Sequence, residues 1–77
     1  MFYVFETETV KGQQAIATTK KESREEAKML FHQILASAYA NENLTYALVI
    51  ILDENGMPVA QEKIIKTVKS NSNSSDD

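Results

Sequence analysis

The chain has 77 residues, a net charge of −3, one histidine and no cysteine. The lack of cysteine excludes disulfide bonds and cysteine-based zinc sites, and a single histidine excludes most other transition-metal centres. A charge this close to neutral argues against a non-specific nucleic-acid binder, which needs a basic stripe. We therefore expect no metal or other cofactor, and nucleic acid is not an expected partner.

The length allows one domain at most. For a chain of this size, hydrophobic burial and the entropy cost of ordering are each on the order of 115 kcal/mol, so they nearly cancel. A marginally stable monomer is the expected result, and self-association is the first hypothesis that follows.

Two features predict a cytoplasmic protein that makes no membrane contact. The amino-terminal residues carry no positive charge ahead of their apolar side chains, so no secretory signal is expected. The longest apolar run, residues 47–52, is far too short to cross a membrane.

Residues 2–18 predict a β-hairpin. Residues 2–9 are rich in aromatic and β-branched side chains, Gly12 suits a turn with positive φ, and residues 14–18 continue as a short second strand. One strand followed by an irregular loop is the alternative. Glu6 and Glu8 share a strand face with Val4, and we interpret them as solvent-facing acids that protect a sheet edge from aggregation.

Residues 23–40 predict an amphipathic helix. Ser23 and Glu26 form a capping box, and Thr19 with Glu22 is a rival start one turn earlier. Asn41 or Asn43 could end the helix in a left-handed conformation. The apolar stripe expected to face the core consists of Ala27, Leu30, Phe31, Ile34, Leu35 and Ala38.

Residues 44–52 predict a strand that is apolar on both faces. One face would carry Leu44, Tyr46, Leu48, Ile50 and Leu52, and the other Ala47, Val49 and Ile51.

Residues 53–56 are the strongest turn signal in the chain. Asn55 and Gly56 suit the two central positions of a type I′ turn, and residues 57–68 would form the partner strand. Pro58 near the start of that strand indicates a sheet edge. This turn predicts the facing pairs Leu52 with Val59, Val49 with Glu62, Leu48 with Lys63 and Tyr46 with Ile65.

These elements predict an α+β fold of the type ββαββ, in which two hairpins form one antiparallel sheet and a single helix packs on one face. The domain is expected to span residues 1–69, followed by a disordered tail of Ser, Asn and Asp at residues 70–77. One helix covers only one face of a sheet, so the apolar second face should meet a second copy of the chain.

The candidate interface combines this sheet face with the back of the helix. Small and aromatic residues on the back of a helix favour a contact surface, although ordinary surface alanines, with Met29 and Tyr39 folded over the helix edge, are the alternative. The candidate interface residues are Met29, His32, Ala36, Tyr39, Tyr46, Leu48 and Ile50.

No catalytic residue is expected. His32 has no nucleophile or carboxylate placed beside it by the sequence, so a surface histidine is the favoured interpretation. Asp53 and Glu54 resemble the start of a calcium loop, but the required later glutamate is missing.

The cluster of Lys20, Lys21, Arg24 and Lys28 could contact phosphate, as could a weaker stripe at Lys63, Lys66 and Lys69.

Two motifs resemble a group of short, uncharacterised proteins encoded in phages and prophages of Gram-positive bacteria. One is FHQILASA at residues 31–38, and the other is LDENG at residues 52–56, followed by a Val-x-x-Glu strand. The resemblance spans residues 2–65 and implies phage origin and no established activity. It also makes His32 a residue to test.

The sequence therefore favours a non-enzymatic, phage-derived accessory or virion-associated protein that acts as a small homodimer through protein–protein contacts. It would be found in the host cytoplasm or the virion. The alternative is a nucleic-acid-binding regulator that uses the Lys20, Lys21, Arg24 and Lys28 cluster.

Overall fold

The structure, a computed structural model, describes residues 1–66. These residues form one four-stranded antiparallel sheet with the strand order β2-β1-β3-β4 and one helix on one of its faces, which confirms the predicted ββαββ fold. The predicted tail and residues 67–69 lie outside the described residues. The elements are β1 (Phe2–Val10), β2 (Gln13–Lys21), α1 (Arg24–Ala40), β3 (Leu44–Asp53) and β4 (Pro58–Ile65).

A two-residue turn joins β1 to β2. Lys11 and Gly12 have φ values of 53° and 80°, so both occupy the left-handed region that a type I′ turn requires. All nine residues of β2 pair with β1, from Val10 opposite Gln13 to Phe2 opposite Lys21. The first hairpin is therefore confirmed, and the alternative of an irregular loop is wrong.

The start of α1 follows one half of the predicted capping box, since within residues 1–66 the Glu26 carboxylate accepts no hydrogen bond from the Ser23 amide. The Ser23 hydroxyl accepts a hydrogen bond from the Glu26 amide at 3.1 Å, which satisfies one of the free amides in the first turn. Leu30 is only half-buried at the margin of the helix. The rest of the predicted stripe is buried: Ala27, Phe31, Ile34, Leu35 and Ala38.

The helix ends differently from the prediction. Asn41, the C-cap, has an extended conformation with φ −82°, so the expected left-handed ending at Asn41 or Asn43 is wrong. The Lys66 ammonium donates to the carbonyl oxygens of Ala38, Tyr39 and Asn41 at 2.7, 3.0 and 2.8 Å. A cation therefore satisfies carbonyl groups that a left-handed residue usually helps to satisfy.

The turn between β3 and β4 is larger than predicted. The Asp53 carboxylate accepts hydrogen bonds from the amides of Asn55 and Met57, both at 2.9 Å. Of the turn residues only Gly56 has positive φ, at 81°, so the predicted type I′ turn centred on Asn55 and Gly56 is wrong. The side chain of Asp53 shapes the turn by binding its own following backbone, as aspartates commonly do.

The register of β3 and β4 is nevertheless almost as expected. A bulge at Val59 places Leu52 opposite Pro58, so the predicted pair of Leu52 with Val59 is wrong. The extra residue in β4 compensates for the larger turn. The pairs farther from the turn than this bulge therefore keep the predicted register. The confirmed pairs are Val49 with Glu62, Leu48 with Lys63 and Tyr46 with Ile65.

A second bulge changes the face to which Leu44 belongs. Tyr46 pairs with Thr9 and Leu44 pairs with Val10, so Thr45 is an extra residue in β3. A one-residue insertion turns the following side chain to the other side of the sheet. Leu44 is consequently packed in the core with 1% exposure, and the prediction that it shares a face with Tyr46 is wrong.

The core lies between α1 and the sheet. From the sheet it takes Val4, Ala47, Val49, Ile51 and Ile64, which are almost fully buried under the helix. Among residues 1–66, all packing against the sheet by another element is on this side. No other element of residues 1–66 covers the opposite side of the sheet.

Candidate interaction surfaces

The sheet surface on the side away from α1, which we call the open face, is apolar mainly along its two inner strands, β1 and β3. Its central side chains are half-buried only by one another, whereas Ile16 and Ile65 on the two outer strands are 63% and 71% exposed. The apolar side chains of the open face are Tyr3, Phe5, Ile16, Tyr46, Leu48, Ile50, Leu52 and Ile65.

The polar side chains of the open face lie mainly on its two outer strands. They are Gln14, Thr18 and Lys20 on β2 and Gln61 and Lys63 on β4, with Thr7 and Thr9 on β1. Thr7, near the centre, is buried, and its hydroxyl accepts a hydrogen bond from the side-chain amide nitrogen of Gln14, Nε2, at 3.1 Å. An apolar centre within a polar rim is the usual organisation of a protein–protein interface.

The predicted interface residues fall on two sides of the molecule. Part of the set lies on the open face, and the rest lies on α1, beyond the opposite face of the sheet. One flat partner surface cannot contact both groups. The open face carries Tyr46, Leu48 and Ile50, and the exposed side of the helix carries Met29, His32, Ala36 and Tyr39.

Tyr39 is bound within its own chain. Its hydroxyl donates to the Glu62 carboxylate at 3.1 Å, although the side chain remains 59% exposed. This hydrogen bond, reinforced by the carboxylate's charge, raises the pKa of Tyr39. His32 is exposed, as expected of a surface histidine, and its ring meets the Phe31 ring edge-on at 5.4 Å.

The basic cluster does not form one surface. Lys20 and Lys21 are consecutive residues of β2 and therefore point to opposite sides of the sheet. The Arg24 guanidinium lies 5.6 Å from the centre of the Phe2 ring, and Lys28 is exposed on α1. In the second basic stripe, Lys63 lies on the open face and Lys66 binds the end of the helix, whereas Lys69 lies outside the described residues.

Glu6 and Glu8 occupy an unexpected position. They lie on β1, an inner strand between β2 and β3, so the prediction that they protect a sheet edge is wrong. The sequence could not reveal this, because it does not specify the strand order. Partial burial raises the pKa of Glu6, and the charge and hydrogen bond of Glu8 raise it further.

Within residues 1–66, no group of three or more His, Asp or Glu is arranged to hold a metal ion.

The raised pKa of Glu6 predicts how stability depends on pH. The folded state binds a proton more tightly than the unfolded state, so the free energy of unfolding should fall as pH rises from the unfolded pKa, near 4.5, through the folded pKa. Glu6→Gln should remove this fall and make the protein slightly more stable at neutral pH. Urea unfolding of both proteins across this pH range tests the prediction, and a fall of equal size in Glu6→Gln would contradict it.

Much of the open face was missed by sequence reasoning. Tyr3, Phe5, Ile16 and Ile65 all belong to it, whereas the candidate interface predicted from the sequence includes only Tyr46, Leu48 and Ile50 from this face. The period-two alternation of β1 does place Tyr3 and Phe5 on one strand face. Knowing that this face continues that of Leu48 requires the pairing of β1 with β3.

The chain matches no protein-family model, no curated protein sequence and no solved structure. None of the helical residues within 1–66 form a segment that is long and apolar enough to span a membrane.

Proposed function

We propose that this protein is a non-enzymatic interaction protein that works as a homodimer, with the open faces of two copies packed against each other. The observation that carries the proposal is the apolar open face itself, which spans all four strands on the side away from α1. Monomeric proteins rarely expose contiguous apolar patches of more than a few hundred Å². Phage origin and an accessory or virion-associated role stay predictions from the sequence.

The size of the open face suits a dimer. Four strands about 4.8 Å apart, each contributing eight to ten residues at about 3.3 Å, cover roughly 550 Å² in projection. The accessible area of a side-chain surface exceeds its projection. Standard interfaces bury about 600–1,000 Å² on each partner, so the whole open face is of the size that a stable dimer needs.

The placement of charged residues on the open face favours a second copy of the chain as the partner that binds there. Within residues 1–66, the only charged strand residues on the open face are Lys20 and Lys63, and both lie on outer strands. A strongly charged partner would find almost no complementary charge at the centre, whereas a second open face offers equal apolar area. Two-fold packing of identical patches is the commonest arrangement in soluble oligomers. It also supplies the burial that a chain of this length lacks on its own.

Replacing Leu48 at the centre of the open face tests the proposal. Sedimentation equilibrium at tens of micromolar should give twice the monomer mass for the unmodified protein and the monomer mass for Leu48→Glu. Ile65→Glu, at a more exposed position on the same face, should weaken the dimer with less risk to the fold. Met29→Glu is the matched control. Met29 lies on α1, away from the open face, and is 62% exposed, so this substitution should leave the dimer intact.

Two results would overturn the dimer proposal. One is a monomer mass for the unmodified protein at these concentrations. The other is a dimer mass that survives both Leu48→Glu and Ile65→Glu, with circular dichroism showing that each variant is folded. Nucleic-acid binding through Lys20, Lys21, Arg24 and Lys28 stays a prediction, and titration with DNA or RNA at low salt tests it.

A further inference from the structure

The outer edge of β2 presents free backbone groups. The two-residue turn makes Val10 and Gln13 a hydrogen-bonded pair, so every second residue of β2 from Gln13 onward bonds to β1. The intervening residues direct their N–H and C=O groups away from the sheet. Among residues 1–66 no strand lies on that side of β2. The residues with outward backbone groups are Gln14, Ile16, Thr18 and Lys20.

The two outer strands differ in how they are protected against added strands. In β4, Pro58 begins the strand, a bulge follows at Val59, and Glu62 and Lys63 place charges near its middle. Proline, bulges and charges are the usual devices that prevent a further strand from pairing. In β2, residues 13–19 contain no proline and no charge, and all of them pair regularly with β1. This edge is therefore suited to accept another strand.

Charge complementarity indicates what kind of strand it would accept. On the helix side of β2, Ala15 and Ala17 are exposed and short, so they leave an open path to Glu6 and Glu8 on β1. Within residues 1–66 neither glutamate forms an ion pair. An added strand would lie two strand spacings, about 9.6 Å, from β1. The long stem of a lysine or arginine, together with the glutamate's own length, bridges such a gap.

We propose that the outer edge of β2 binds an extended segment of a partner protein as a fifth strand. Lysine or arginine side chains on alternate residues of that segment extend over Ala15 and Ala17 toward Glu6 and Glu8. The intervening apolar side chains lie beside Ile16 and enlarge the open face. Backbone hydrogen bonds supply affinity and the alternating side chains supply specificity, as in other cases of strand addition. The outward backbone groups of this edge lie beyond the side chains of the proposed dimer surface, which the site adjoins at Ile16.

Amide hydrogen exchange tests this site. The probe is a capped octapeptide of alternating valine and lysine. In the free protein the outward amides of Gln14, Ile16, Thr18 and Lys20 should exchange faster than the ladder-bonded amides of the odd-numbered residues of β2. The peptide should slow exchange at these outward amides alone. An octapeptide of alternating valine and glutamate is the matched control and should not protect them.

Two variants separate this proposal from the dimer proposal. Glu6→Gln combined with Glu8→Gln should weaken binding of the valine–lysine peptide about three- to tenfold, the range expected when one or two partly exposed ion pairs are lost. The Leu48→Glu variant should bind the peptide with unchanged affinity, because Leu48 is a residue of β3 and does not touch the outer edge of β2. Loss of the dimer in this variant would therefore leave the edge site measurable.

Three outcomes would overturn the edge proposal. The first is no protection of the outward amides by the valine–lysine peptide. The second is equal protection by the valine–glutamate peptide, which would show that Glu6 and Glu8 select nothing. The third is protection of these amides in the peptide-free Leu48→Glu variant that increases with its concentration, which would show that a second copy occupies the edge.

Discussion

Replacing Ile34 by alanine is expected to unfold most of the protein at 25 °C when the protein is dilute. Ile34 is buried between α1 and the sheet. Removing a buried isoleucine side chain costs about 2–5 kcal/mol, since the apolar contacts are lost and a cavity remains. A domain of this size has only a few kcal/mol of stability in total. Urea denaturation followed by far-ultraviolet circular dichroism measures the loss.

Leu30→Ala is the matched comparison on the same helix. Leu30 is half-buried at the margin of the core, so less apolar surface returns to water and the neighbouring side chains can close the gap. We expect a loss of about 1–2 kcal/mol. Alanine is the best helix former, so neither substitution weakens α1 itself. Equal losses in the two variants would contradict the deeper burial of Ile34 relative to Leu30.

Local signals in the sequence were sufficient wherever one side chain determines the backbone beside it. Ser23 caps α1 because its hydroxyl binds an amide three residues later, a contact that needs no distant partner. Gly12 marks the first turn because few other residues tolerate its positive φ. These signals, together with the helical spacing of the core stripe, the apolar run of residues 44–52 and the turn residues 53–56, were enough to predict the order of all five elements.

Bulges were not predictable in the same way. The side chains of Leu44 and Leu52 follow the alternation of their strand in the sequence, yet each lies beside an inserted residue in β3 or β4. A bulge forms where the two partner strands would otherwise lose register, so it depends on the pairing and not on the composition of one segment. One bulge added Leu44 to the core, and the other offset the larger turn before Pro58.

The candidate surfaces were predicted only as far as β3 itself. Leu48 and Ile50 were identified because β3 is apolar on both faces, which one helix cannot cover. Phe5 and Ile16 join them on the open face through the order β2-β1-β3, and that order also places Glu6 on an inner strand. Sequence patterns describe each strand separately, whereas a surface that spans four strands depends on which strands are neighbours.

Lys66 connects the last strand to the helix, and its replacement should have the second largest effect on stability. Its ammonium group donates to three carbonyl oxygens at the carboxyl end of α1, where no basic residue of the helix itself lies in the last turn. Cations at this end interact favourably with the helix dipole, and hydrogen bonds to charged groups are worth about 1.5–3 kcal/mol. Lys66→Met keeps most of the apolar stem and removes the donors.

We expect Lys66→Met to lower the free energy of unfolding by about 1–2 kcal/mol, because the group is only partly buried and water replaces part of the lost interaction. Urea unfolding measures the loss, and faster amide exchange at the end of α1 should accompany it. Lys28→Met removes the same charge from an exposed position on α1 and should change stability by less than about 0.5 kcal/mol. If the two variants lost the same stability, the contribution of Lys66 would be one of net charge, and its contact with the helix carbonyls would not hold β4 and α1 together.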